Sequence, residues 1–263
     1  MHILSFDRND LRLGINFTRM MIRDRFLGSS LGSLWAILNP ALLLTIFTFV
    51  FGFIFQSRLP GAETSISFVI WLISGYGPWL AISEGIMGST SSVVSQSGLI
   101  KNLAFKTELL PLSATMLGIV PLLVSLVVLV VLLAVDGRAP NVAWLVMPVV
   151  LLMQTLFIGG LGLILATFNV FKRDIAQILP SLLTLLLFAS PIFYPIDAYP
   201  EYLRAYVLLN PFYIIANGYR EPILFGRVQP LWELVYLTCL AIGTFALGLM
   251  VFRRLKSEFY GQL

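Results

Sequence analysis

Glu84 is the single clear acid inside a long apolar run, the stretch from about Ile66 to Val94. An ionisable group within a membrane-length run is a functional candidate, for proton uptake or for charged cargo. In a helix starting near Ile66 it lies about 18 residues along, roughly 27 Å at 1.5 Å per residue. That depth brings it close to the inner interface, where pairing with an inner arginine is the plainer role. Other chemistry lacks parts. His2 is the only histidine and Cys239 the only cysteine, so no Cys/His metal site, intrachain disulfide or Ser/His/Asp set can be assembled. The lysines are Lys101, Lys106, Lys172 and Lys256, and no GxxxxGK(S/T) phosphate loop is present. The chain is expected to hold no metal or cofactor of its own.

Aromatic residues are abundant, with 20 Phe, 9 Tyr and 5 Trp. Most are expected in lipid-facing surface and interface belts. Tyr76, Trp79, Phe193, Tyr194, Tyr199 and Tyr213 gather at the expected outer ends of spans. Such rings can stack on the C–H faces of sugars, so with Glu84 they are the pathway candidates; belt anchoring is the competing reading for each.

Hydrophobic residues make up 58% of the chain and charged residues 11%, against about 25% charged in a soluble domain. From Phe26 to Ser57 there is no charge at all, directly after Arg19, Arg23, Asp24 and Arg25. A helix needs about 20 apolar residues to cross the hydrocarbon layer. Six spans are expected, at 34–55, 66–94, 112–135, 142–168, 175–190 and 231–252. The second is read as broken by SGYGPW (Ser74–Trp79), and the fourth carries Gly159, Gly160 and Gly162 for close helix packing. No cleavable leader is visible in the first residues.

Six spans put both termini on one side, and the basic residues choose which. The inner segments would hold Arg8, Arg12, Arg19, Arg23, Arg25, Lys101, Lys106, Lys172, Arg173, Arg253, Arg254 and Lys256. The outer segments would hold only Arg58, Arg138, Arg204, Arg220 and Arg227. Both ends are therefore expected in the cytoplasm.

Three pieces do not span. Residues 10–26 mix Leu11, Ile15, Met21 and Ile22 with arginines, as an amphipathic helix lying in the inner interface would. The loop 95–108 sets Leu99, Ile100, Leu103 and Phe105 among Lys101, Lys106 and Glu108, a composition suited to docking a cytoplasmic partner. The segment 195–225 is aromatic but interrupted by Pro195, Pro200, Pro211 and Pro222, so it cannot be one helix. Two short helices, about 201–209 and 212–225, dipping into the outer leaflet would reconcile those facts.

RDRFLGSSLGSLWAILNP (Arg23–Pro40), LLFASPIFYP (Leu186–Pro195), LNPFYIIANGYREPIL (Leu209–Leu224) and NVFKRDI (Asn169–Ile175) together resemble the ABC-2 type permeases that export polysaccharides. The resemblance covers nearly the whole chain. It implies an all-α polytopic membrane protein: six transmembrane helices, an N-terminal interface helix, and two re-entrant helices between spans five and six. It further implies a homodimer bound to two copies of a separate ATPase, which would carry the ATP and magnesium. The cargo would be a lipid-linked polysaccharide, such as an O antigen, capsule glycan or teichoic acid, moved across the inner membrane. By the same resemblance, 95–108 is the ATPase-coupling element, with Leu99, Ile100, Lys101, Phe105, Lys106 and Glu108 as its candidates. Arg19, Arg23, Asp24 and Arg25 belong to the interface helix. Membrane lipids are implied partners and nucleic acid is not.

Three other readings compete. An ABC-2 permease for a drug, lipid or small hydrophobe would keep the fold. A proton-coupled carrier would need no ATPase and would respond to Glu84→Gln. A membrane-embedded enzyme lacks any catalytic cluster.

Overall fold

The computed structural model describes residues 7–25, 27–54, 65–102 and 104–262. His2, Phe26, Phe55, Arg58 and Leu103 lie outside them. All regular structure among the described residues is helical. In chain order the helices are α1 (Arg8–Arg25), α2 (Trp35–Phe47), α3 (Ser65–Ser95), α4 (Ser97–Asn102), α5 (Leu109–Thr115) and α6 (Ile119–Val135). They continue with α7 (Met147–Phe171), α8 (Asp174–Phe188), α9 (Glu201–Leu208), α10 (Pro211–Arg220), α11 (Leu231–Leu255) and α12 (Phe259–Gln262).

Five stretches are long and apolar enough to cross a membrane: Gly32–Phe51, Ile66–Ser95, Leu109–Val135, Val142–Phe171 and Leu231–Glu258. The protein is a multi-pass membrane protein. The expected fifth of six spans is the exception: α8 has 15 residues, about 22 Å of helix, short of a hydrocarbon layer of about 30 Å.

One expectation about local shape is corrected. SGYGPW does not break the second span, because α3 runs unbroken through Pro78 for 31 residues. Neighbouring helices absorb the irregularity: Ser125 fills the notch at Gly77, and Gln154 donates to the Pro78 carbonyl at 3.3 Å. Within the third span α5 and α6 are joined by a tighter turn at Met116–Gly118, where Gly118 presses against the Ala81 carbonyl of α3.

The molecule is built around α3 and α7. Most of α3 is buried, packed by α5, α6, α7, α8 and α10. The widest helix–helix contact joins α7 to α11, and its closeness has a steric cause. A Cβ on Gly160 would lie 2.5 Å from the Thr244 backbone, and one on Gly248 would lie 2.4 Å from the Gly160 carbonyl oxygen. Glycine on both helices lets the backbones touch. By contrast α2 buries only Pro40 and Leu44, resting on α6 and part of α3.

Candidate functional site

The loop after α4 gathers side chains from three elements. Phe105 packs at a tilt against Phe17 of α1, ring centroids 5.2 Å apart. Lys106 donates to Asp10 of α1. That bond, with a second from the Asp7 backbone N–H, holds the Asp10 carboxyl below its ordinary value. Glu108 turns the other way: its carboxylate accepts from Arg253 of α11 at 2.8 Å and lies 3.5 Å from Lys256. Directly beyond, α5 is stitched to α1, with Thr18 donating to the Ser113 carbonyl and Ser113 donating to the Gly14 carbonyl.

The six coupling candidates therefore do different jobs. Lys101 is exposed and Leu99 half-buried, both on α4. Phe105 and Lys106 are half-buried against α1. Ile100 and Glu108 are buried inside the chain. Ile100 packs in the cluster formed with Phe17, Val93 and Leu110.

Arg19, Arg23 and Asp24 are exposed on α1. Arg25, at its end, forms an ion pair with Glu84 of α3. The lone acid of the second span is thus paired with an arginine. Around that pair a cleft opens between α1, α2, α3 and α6, lined by Trp35, Asn39, Leu80, Ser83 and Val120. It continues past Asp24, Ser91, Ser95 and Gln96 along the far end of α3.

The aromatic candidates divide into three groups. Tyr76 and Phe193 join Phe47 in one cluster, with Tyr76 edge-on to Phe47 at 4.8 Å and Phe193 at 5.3 Å from Tyr76. Tyr194 and Tyr199 pair through their hydroxyls at 2.9 Å. Trp79 packs edge-on against Phe212, and Tyr213 sits half-buried on α10. Tyr76 and Trp79 are buried within the chain's own core, so neither presents a free ring to a passing molecule.

Sequence reasoning missed Arg220, taken there as an outer-loop charge. It is buried at the end of α10, its guanidinium 3.9 Å over the Trp71 ring. Phe212, Ala216 and Arg220 recur every four residues, so the helical period placed this arginine on the buried face of α10.

Residues 13–224 match the ABC-2 type transporter family. The chain belongs to that family. Among known ABC-2 relatives, the O-antigen export system permease protein RfbA of Klebsiella pneumoniae is 27% identical over 244 residues, covering 92% of this chain and 91% of that protein. RfbA of Myxococcus xanthus is 28% identical over 247 residues, covering 93% of each. The polysialic acid transport protein KpsM of Escherichia coli is 28% identical over 235 residues, covering 88% of this chain and 89% of its own.

Proposed function

We propose that this chain is the permease subunit of an ATP-binding cassette exporter that carries lipid-linked polysaccharide across the inner membrane. The observation that carries this reading is near end-to-end similarity to O-antigen and polysialic acid permeases in a chain without a phosphate loop of its own. Two copies form the path, and a separate ATPase, also in two copies, binds ATP and magnesium and supplies the work. The permease itself makes and breaks no covalent bond.

The junction at Phe105–Glu108 supports the coupling half of this reading. A push on the exposed face of α4 would reach α1 through Asp10 and Phe17, and α11 through Arg253. In this reading α8 and the turn after it together complete a sixth crossing. Helices α9 and α10 then dip into the outer leaflet, both termini stay in the cytoplasm, and α1 lies along the inner interface. A polymer longer than the membrane is thick cannot be enclosed in a pocket, so the open path is continuous.

The test is reconstitution with the candidate ATPase and a lipid-linked glycan in vesicles. Export that requires ATP, and is indifferent to an imposed proton gradient, is the expected result. Uphill movement on an ion gradient with no nucleotide would overturn it.

A further inference from the structure

Arg220 is a buried cation with no carboxylate bonded to it among the described residues. Taking a guanidinium out of water is costly unless its N–H groups are met. Here they are met by backbone. Nε donates to the Trp71 carbonyl at 3.3 Å, Nη1 to the Pro191 carbonyl at 2.7 Å, and Nη2 to the Ile192 carbonyl. Trp71 belongs to α3, whereas Pro191 and Ile192 form the turn that follows α8. The planar fork of one arginine thus joins three elements, α10, α3 and that turn.

The seat is shaped for it. A Cβ on Gly75 would lie 2.2 Å from Nη2, so only glycine leaves the guanidinium room. The turn is held by a second bond, from Asn210 to Ser190 at 2.8 Å, and Ser190 is wholly buried. Immediately after the clasped carbonyls come Phe193 and Tyr194, which carry the turn into the cluster of Phe47 and Tyr76 and towards Tyr199.

We propose that Arg220 is a positioning residue: its guanidinium latches the Pro191–Ile192 turn to α3 and so holds the outer aromatic segment closed. Its charge survives burial because carbonyl dipoles and the Trp71 face replace water. A lysine cannot substitute, since one ammonium cannot reach the α3 carbonyl and both turn carbonyls in a planar fork. The meaning of the latch for export rests on the proposed function, but its test does not.

Ser190→Cys in a Cys239→Ser background places a near-isosteric thiol behind the latch. Ser92→Cys, buried in the other half of α3, serves as a control. The full chain is held in lipid nanodiscs, without ATPase or glycan, and treated with a water-soluble maleimide. Arg220→Ala, Arg220→Lys and Gly75→Ala should each raise the labelling rate at position 190 about tenfold or more, and change that at 92 by less than about twofold. Unchanged labelling at 190 would overturn the proposal. So would an equal rise at both positions, which is general loosening, or full protection by the lysine. Any of these outcomes would leave the export reading standing.

Discussion

Glu108 and Arg253 lie 145 positions apart and meet at 2.8 Å, with the Glu108 side chain 2% exposed. A carboxylate so enclosed is held by its cations, and Arg253 and Lys256 are the ones supplied. Glu108→Gln keeps the shape and removes the charge. The expected loss is about 1–2 kcal/mol, moderated because both cations reach water. Thermal denaturation of the detergent-solubilised protein measures it, and Glu108→Arg with Arg253→Glu should recover part of the loss. An unshifted melting curve for the glutamine variant would sink the claim.

Replacing Phe105 and Lys106 together severs both grips on α1. Membrane insertion should persist while the ATPase turns over with little glycan moved. Normal export per ATP from that double variant would count against the loop as a coupling element.

The Asp10–Lys106 bond sets a pH signature. Because the Asp10 carboxyl is held below its ordinary value, its contribution is complete above the unfolded carboxylate pKa of about 3.9. It is lost only as pH falls through the lower folded value. Hydrogen exchange along α1 should therefore be flat from about pH 5 to pH 8 after correction for intrinsic rates, and Asp10→Asn should raise it across that whole window. A break in the native profile near neutrality would contradict the assignment.

Gly248 and Gly243 lie on the same helix but in different surroundings. A methyl on Gly248 would meet the Gly160 carbonyl, whereas one on Gly243 meets nothing within 4 Å. Gly248→Ala should destabilise by about 1–3 kcal/mol as α7 and α11 are pushed apart. Gly243→Ala should be neutral or stabilising by up to about 1 kcal/mol through helix propensity. Equal melting temperatures for the two would show that the helices do not cross so tightly.

Glu84→Gln removes the ion pair to Arg25, whose side chain is 48% exposed. The expected cost is below about 1 kcal/mol, and export should stay insensitive to a protonophore at fixed ATP. Abolished ATP-driven export with intact folding would return Glu84 to the list of transport groups.

Much of the architecture was legible because lipid imposes long uncharged runs. Five long apolar stretches are helical among the described residues, and the short helices α9 and α10 lie between prolines. The continuity of α3 was hidden, because it depends on Ser125 and Gln154 of other helices accommodating Gly77 and Pro78. Burial of Tyr76 and Trp79 was hidden likewise, since Phe47, Phe193 and Phe212 reach them from distant segments. Arg220 was the largest miss. Its helical period was visible, but the vacancy at Gly75 that receives it lies on another helix, and a single sequence does not pair the two.

The unbroken run of α3 has a mechanical consequence. Thirty-one residues make a strut of about 46 Å, longer than the hydrocarbon layer is thick. Arg220 grips it at Trp71, in its first third, and Arg25 grips it at Glu84, just past its middle. The two grips lie 13 residues apart, about 20 Å of helix, so that stretch of the strut moves as one piece with the segments clasped to it, and the stretch beyond Glu84 swings with it.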